Sequence, residues 1–361
     1  MGTRPEAIKL TPVANALAKR GCTPTLVFTG QHRALGPGDF GLGGYPAVRL
    51  RCSGETDPDA HVAKVAAALQ PLFADGPDLV MVQGDTSSAL GGALAAIRAG
   101  VPLGHVEAGL RTHDPLLPWP EERYRTQIDA RADLLFAPTE LSAANLFSER
   151  VAGEVHVTGN TAIDALLGLI EQLPSPPPRQ THRPRILVTC HRRESWGEGL
   201  RTIASALARI VDKEAVRIEF VLHPNAHVAR TMAELLSPLG AVGLVEPCAH
   251  AELVQRMRAA DLILSDSGGI QEEAPVLGIP LLVLREKTER PEGLATGNMR
   301  LVGTSAERIV SETLALLRDP AARTEMSRPV FPYGDGRSGE RIAAIVESWL
   351  QGKSAGERRT A

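Results

Sequence analysis

The sequence predicts an α/β protein of two doubly wound, parallel-sheet domains, and three observations lead there. Short apolar runs alternate with longer helical patterns along nearly the whole chain. A proline-rich break divides those runs into two sets, and 361 residues exceed what one ordinary core holds.

The first set of candidate strands is Thr25–Thr29, Leu79–Gln83, Leu103–Val106, Leu134–Ala137 and Val155–Thr158. The second is Ile186–Thr189, Ile218–His223, Val242–Val245, Leu262–Ser265 and Pro280–Leu284. Each run is short, continuous and flanked by Gly, Pro or Asp, as parallel strands covered on both faces should be. Between the sets, Leu173-Pro174-Ser175-Pro176-Pro177-Pro178-Arg179 fits neither helix interior nor central strand and reads as a semi-rigid linker. The expected division is therefore residues 1–172, a linker at 173–184, a second domain at 185–352 and a basic, frayed tail at 353–361. The last helix is allowed to pack back on the first domain. Two Rossmann-like domains facing across a cleft would place ligands at the carboxyl ends of their strands.

The start of the chain departs from this pattern. Pro5-Glu6-Ala7-Ile8-Lys9-Leu10 opens a helix, with Pro near its first position and an acid in the first turn. A βαβ unit calls for a strand ahead of that helix, yet only Met1-Gly2-Thr3 precede it. The expectation is that the first strand of the N-terminal sheet is missing from this sequence.

Composition excludes several classes. Hydrophobic residues make up 43% and charged residues 22%, an ordinary soluble balance. A formal net charge of -3 favours neither a nucleic-acid nor a membrane-surface partner. Four scattered cysteines without a CxxC pair read as thiols in a reducing cytoplasm, not as a disulfide or zinc framework. No signal peptide and no bilayer-length apolar run is visible.

Gly36-Pro37-Gly38-Asp39-Phe40-Gly41 matches G-x-G-x-x-G by letter. However, Gln31-His32-Arg33 separates it from the strand, and Pro37 opposes the required turn into a helix. A glycine-rich surface loop is the better reading, so no NAD site and no cofactor are expected. The strongest local signal is Ser265-Asp266-Ser267-Gly268-Gly269-Ile270-Gln271-Glu272-Glu273-Ala274-Pro275, which follows an apolar strand and opens a helix. Small residues there let backbone N–H groups approach phosphate oxygens at a helix N-terminus, and Glu273 lies one turn in, within reach of ribose hydroxyls. An ordinary N-cap explains the same letters about equally well. Thr288-Glu289-Arg290-Pro291-Glu292 ends another strand-to-loop junction and offers a cation, and together the two segments favour a nucleotide diphosphate.

In the first domain Gly84-Asp85-Thr86 ends one strand and His105-Val106-Glu107-Ala108-Gly109-Leu110-Arg111 ends another, followed by Pro118-Trp119-Pro120-Glu121-Glu122-Arg123. Three carboxylates thus gather where such sheets place chemistry. Singly each would be a solvated loop acid; two at successive strand ends favour function. A metal is the rival use, but no His pair or D-x-D cluster accompanies them, and none is expected. His191-Arg192-Arg193-Glu194 and Leu222-His223-Pro224-Asn225 lie at strand ends of the second domain, where His223 could orient a diphosphate.

In their order and letters these segments resemble the non-hydrolysing UDP-N-acetylglucosamine 2-epimerases. Further matching stretches are Gly2 through Lys9, Gly30 through Arg33, Val157-Thr158-Gly159-Asn160-Thr161 and Pro332-Tyr333-Gly334-Asp335-Gly336, so the likeness spans essentially the whole chain. It implies the GT-B fold, a cytoplasmic homodimer, and interconversion of UDP-GlcNAc with UDP-ManNAc. C2 of this sugar is not next to a carbonyl, so its proton is not acidic. Without a redox cofactor, loss of UDP from C1 and of the C2 proton through a glycal intermediate remains as the route. Acid/base groups are then needed on both faces of C2, with cations and N–H dipoles holding UDP. By resemblance, Asp85, Glu107 and Glu121 are the proton-transfer and oxocarbenium-stabilising candidates, with His223 supporting the diphosphate or proton transfer. Arg4, Lys9, Ser267, Gly268, Gly269, Glu273 and Arg290 would bind UDP and its sugar.

Two departures stand out. After Gln31-His32-Arg33 the family continues as a helix, where this chain has Ala34-Leu35-Gly36-Pro37-Gly38. That region helps many relatives hold a second, activating UDP-GlcNAc, so weak or absent activation is expected here. Leu253 stands where the family commonly has an aromatic near uracil; the lost stacking either costs about 1 kcal/mol or is absorbed by packing, so diphosphate binding is the firmer expectation than base selectivity. Rival readings are a GT-B glycosyltransferase, a hydrolysing epimerase that releases free sugar, and a non-catalytic nucleotide-sugar sensor.

Overall fold

The structure is a computed structural model and describes residues 1–32, 35–74, 76–176, 183–190 and 197–360, with side chains followed to 353. The chain divides into two compact units, Met1–Ala165 with Tyr333–Ala361, and Leu166–Pro332.

The N-terminal unit runs α1 (Arg4–Lys19), β1 (Leu26–Phe28), β2 (Ala47–Arg49), α2 (Pro58–Leu69), β3 (Val80–Gln83), α3 (Ser87–Ala99), β4 (Leu103–Val106), α4 (Glu121–Asp129), β5 (Leu134–Ala137), α5 (Glu140–Glu149) and β6 (Glu154–Val157), and takes in the start of α6 (Thr161–Ile170). Strands β3 to β6 pair in parallel in sequence order. The register sets Gln83 beside Val106 and Val106 beside Phe136, so their carboxyl ends share one edge. Local chemistry fixes the helix starts along that edge. Thr86, for example, accepts the Ala89 N–H at 3.0 Å and so caps α3. Strands β1 and β2 form a separate parallel pair. Among the described residues no ladder joins β1 to β3, and Met1 pairs with the β1 side, its amino group 2.7 Å from Val27 O and its carbonyl 3.0 Å from Thr29 N. The sheet is interrupted between β1 and β3, and no strand precedes α1 among the described residues.

The second unit holds β7 (Arg185–Thr189), α7 (Glu198–Lys213), β8 (Arg217–Val221), α8 (Ala226–Leu236), β9 (Val242–Val245), α9 (His250–Ala259), β10 (Leu262–Ser265), α10 (Gly268–Leu277), β11 (Leu281–Val283), α11 (Pro291–Ala295), β12 (Met299–Leu301), α12 (Ala306–Arg318) and α13 (Pro320–Met326). Its six parallel strands lie in the order β12-β11-β10-β7-β8-β9. The winding reverses between β7 and β10, where a doubly wound sheet opens a crevice at its carboxyl edge. A core of Ile186, Val188, Phe220, Leu262, Leu264 and Leu282 with α7 and α12 residues such as Ile203, Leu207 and Ile309 closes one face.

All ten expected strands are present within a residue or two, and two more, β2 and β12, were not foreseen. Both are three-residue edge strands without a fully apolar run, which gives periodicity little to register. Three boundaries need correction. The division falls inside α6 rather than in the proline-rich segment, whose start belongs to the second unit: Pro174 O accepts from Gln255 and Arg258 at 3.1 and 2.9 Å. The last helix, α14 (Ser338–Thr360), packs back into the N-terminal unit as the sequence allowed, so the second unit ends at Pro332 and not at 352. Its Ile342, Ala343 and Val346 share one apolar cluster with Leu10, Val13 and Leu17 of α1 and Leu134 and Phe136 of β5, burying a stripe that would otherwise face water. That helix also runs through the segment taken as a frayed tail. Residues 177–182 of the linker lie outside the described residues. The letters that mimic a dinucleotide fingerprint lead into a 3-10 segment, Asp39–Gly44, and not into an α-helix.

Just before α14, Asp335 takes a bidentate grip from Arg341 at 2.7 and 2.6 Å. That bond, helped by the Arg337 backbone and opposed by slight burial, brings its carboxyl down to about 2. A depressed carboxylate stabilises the fold in full above its unfolded value of about 3.9 and loses that contribution as pH falls through the folded value. We expect Asp335→Asn to cost about 0.5–1 kcal/mol at pH 6, solvent screening included. In urea unfolding that gap should narrow toward pH 3, and a gap independent of pH would contradict the ion pair.

Candidate functional site

In the N-terminal unit two strand ends carry acids side by side. Beyond β3 the chain turns at Gly84, whose φ of +68° suits glycine, and reaches Asp85. A guanidinium nitrogen of Arg125, from α4, contacts the Asp85 carboxylate, and its other terminal nitrogen lies 3.1 Å from Glu122. Glu122 in turn accepts the Thr112 and His113 N–H groups at 2.9 and 3.0 Å, fixing the loop that leads into α4. Beyond β4, Glu107 holds φ at +71°, a left-handed conformation uncommon for a side chain of this kind and associated with functional sites. Its backbone is pinned there by Phe136 O at 3.1 Å.

The Glu107 carboxylate is buried and meets three donors: Lys9 Nζ at 2.5 Å, Asn160 Nδ2 at 3.4 Å and the amide of Gln83. Such a set suits the ionised form. Removing one partner of a buried pair of this kind costs about 3–5 kcal/mol. Lys9, expected among the substrate ligands, is thus placed on a candidate catalytic acid. Glu121 is the first residue of α4, half-buried, where the helix dipole favours a carboxylate. Arg4 is exposed at the first turn of α1, and Glu6 of the same turn is buried and accepts from Thr86 and the Gly2 N–H. Glu6, Gln83, Glu122, Arg125 and Asn160 were not singled out from the sequence. A readable signal existed for one of them: Arg125 stands three and four residues beyond Glu122 and Glu121, the spacing of neighbours on a helix face.

The second unit brings its expected residues to the winding reversal. Thr189 and Ser265, paired in register at the ends of β7 and β10, are joined through their hydroxyls at 2.6 Å. Ser265 Oγ also accepts the Ser267 N–H at 3.0 Å, shaping the turn into α10. Ser267 is the N-cap, but its side chain makes no capping bond, and Ser267, Gly268 and Gly269 are all half-buried at one helix start. This is an arrangement that suits anion oxygens. Arg290 lies beneath it, with Nε 2.7 Å from Glu272 and a terminal nitrogen on Glu289, which also pairs with Arg285 at 2.9 Å. Two carboxylates of the same unit thus meet its charge beside the turn. Glu273 receives a bond of 2.8 Å between its Oε1 and His250 Nε2. Leu253, one turn on from His250, is half-buried. His223 Nδ1 accepts the Asn225 N–H at 2.8 Å, which leaves Nε2 as the ring nitrogen able to donate. His191 through Glu194 lie outside the described residues, as do Arg33 and Ala34.

Two parallel, Rossmann-like units, with strand-end acids in one and a glycine-rich helix start at the winding reversal of the other, define the class: a GT-B-type α/β protein. The description UDP-N-acetylglucosamine 2-epimerase belongs to the family model that matches residues 15–347, and the chain is a member of that family. The enzyme of that name from Salmonella typhimurium is 41% identical over 377 residues, covering 96% of this chain and 97% of its own. The crystal structure of UDP-GlcNAc 2-epimerase from Neisseria meningitidis bound to UDP-GlcNAc is 38% identical, with a TM-score of 0.90, 97% of this chain covered and 98% of that one. The Methanocaldococcus jannaschii enzyme, solved in complex with UDP-GlcNAc and UDP, is 31% identical with a TM-score of 0.84 over 96% and 98% of the two chains.

The helix start yields a stability prediction. A methyl built on Gly268 would lie 2.9 Å from Arg290 Nη1, a side chain that two carboxylates hold in place, whereas one on Gly269 meets nothing nearer than 3.9 Å. Gly268→Ala should cost about 1–3 kcal/mol in urea unfolding. Gly269→Ala should cost little, and equal effects would mean that Arg290 gives way.

Proposed function

We propose that the protein interconverts UDP-GlcNAc and UDP-ManNAc by eliminating and re-adding UDP, without hydrolysis. The observation that carries this reading is the pair Asp85 and Glu107: two carboxylates at adjacent strand ends, each met by a cation, one of them on a strained backbone. Family membership and the UDP-GlcNAc and UDP bound in relatives support the substrate.

In the forward direction the C1–O bond to UDP breaks and the ring oxygen shares the positive charge. A carboxylate removes the C2 proton, giving a glycal; a proton then reaches C2 from the opposite face and UDP returns to C1. Asp85, Glu107 and Glu121 supply the acid/base groups for the two faces and stabilise the oxocarbenium-like charge. The departing diphosphate gains negative charge. Ser267, the Gly268 and Gly269 N–H groups and the Nε2–H of His223 are suited to receive it, and Glu273 to hold the ribose. Arg4, at the first turn of α1, is a further candidate for binding the substrate. Lys9 and Arg290 act one step back, the first by holding Glu107 and the second by bracing the turn at Gly268.

Incubating the purified protein with UDP-GlcNAc in D₂O tests the reaction. UDP-ManNAc with deuterium at C2 is expected; free sugar with UDP would indicate hydrolysis, and acceptor-dependent turnover a glycosyltransferase. Asp85→Asn, Glu107→Gln and Glu121→Gln should each lower kcat by about 10²–10⁴-fold while UDP still binds. Wild-type turnover in all three would overturn the assignment. The departure at 34–38 further supports weak activation by substrate. Conversion of UDP-ManNAc alone should therefore start without a lag, and a strict requirement for added UDP-GlcNAc would refute this.

A further inference from the structure

Beneath the two acid-bearing strand ends lies a buried polar cluster that the reaction above does not use. His105, inside β4, and Asp129, the last residue of α4, are both 0% exposed. The two ring nitrogens of His105 face different partners, Nδ1 at 2.6 Å from Asp129 Oδ1 and Nε2 at 2.8 Å from Gly84 O. A peptide carbonyl only accepts, so Nε2 donates to Gly84 O while Nδ1 lies against the Asp129 carboxylate. The second oxygen of Asp129 accepts the Gly109 N–H at 3.1 Å and lies 2.8 Å from Arg111 Nη2. Arg111 is tied in turn to Glu149 at 2.7 Å. Burial opposes ionisation of Asp129, but the facing His105 and Arg111 hold its carboxyl below the usual range.

The cluster reaches both strand ends through the backbone. Gly84 is the residue before Asp85, and two bonds orient its peptides: its N–H to Val106 O at 3.1 Å and its carbonyl to His105. Glycine at φ +68° would otherwise leave that turn freer than any other residue type. Gly109, held directly by Asp129, is two residues beyond Glu107. A histidine whose only task was to fill the core would be satisfied by any acceptor; this one grips the peptide that aims a candidate acid.

We propose that His105 is a positioning residue for Asp85, transmitting the fixed location of Asp129 to the Gly84 carbonyl. This rests on the reading of Asp85 as a proton-transfer group. Two amide substitutions separate the two ends of the ring. The terminal nitrogen of Gln reaches roughly where Nε2 stands, and that of Asn roughly where Nδ1 stands. His105→Gln therefore keeps a donor for Gly84 O, while His105→Asn keeps only the bond to Asp129. In epimerisation assays, kcat of His105→Asn should fall about 10²-fold, the loss expected from a small misplacement of a reacting group, with KM for UDP-GlcNAc and UDP affinity little changed. His105→Gln should recover most of that loss. Unchanged kcat in His105→Asn, or equal losses in both variants alongside equal drops in melting temperature, would overturn the proposal. Nitrogen-15 NMR of the wild-type imidazoles decides the hydrogen-bond arrangement without reference to activity. A proton on Nε2 of His105, hydrogen-bonded to a carbonyl, is expected, and an unprotonated Nε2 would overturn it. Wild-type protein that does not turn over UDP-GlcNAc would instead count against the functional reading, and the NMR result would still decide the His105 contacts.

Discussion

A carboxylate at the end of a buried parallel strand must be met by donors, because water no longer solvates it, and the N-terminal unit is arranged around that constraint. The buried Lys9–Glu107 pair, 2.5 Å apart, is its centre. Lys9 can stand there only because α1 packs on the β3–β6 sheet, and α1 is secured by the apolar stripe of α14. Charge pairing at the site and hydrophobic burial at the far end of the chain are thus one construction. The strain at Glu107, held by two backbone bonds to Phe136 O, persists because that surrounding core fixes it.

The second unit solves the opposite problem. A helix start that is to receive an anion must leave its N–H groups and its cap hydroxyl available, yet its surroundings must stay rigid. Ser267 makes no capping bond, and rigidity comes from below, through the ion pairs of Arg290 with Glu272 and Glu289. Gly268 follows from the same geometry, since the guanidinium occupies the space a side chain would need. A cation next to a phosphate-type turn therefore need not be a ligand; its counter-charges decide.

This distinction marks the limit of what the sequence made legible. Parallel strands announced themselves because apolar runs bounded by Gly and Asp have few other uses, and their ends carried Asp85, Glu107 and Ser267 to the edges where chemistry was expected. The edge strands β2 and β12 were silent, being too short and too mixed for a period. The ownership of α14 could only be guessed, because an amphipathic stripe states that a face is buried but not against what. Likewise Lys9 and Arg290 were legible as cations near a site but not as the partners of Glu107, Glu272 and Glu289. Ion pairs between residues 98 apart in sequence, as for Lys9 and Glu107, leave no local pattern.

The same reasoning separates what could vary from what could not. Asp85, Glu107 and Glu121 differ in how they are held: by an arginine, by a lysine with two amides, and at a helix start. An acid and a base that must act on opposite faces of one carbon need unequal environments, because identical ones would give both the same proton affinity. The three settings are unequal in this sense, which supports the proposed division of acid and base roles among them. The differences come from Lys9 of α1, Arg125 of α4 and Asn160 just ahead of α6, together with Gln83 at the end of β3. The sheet supplies position, and these neighbours supply the difference in chemistry between acids that position alone would make alike.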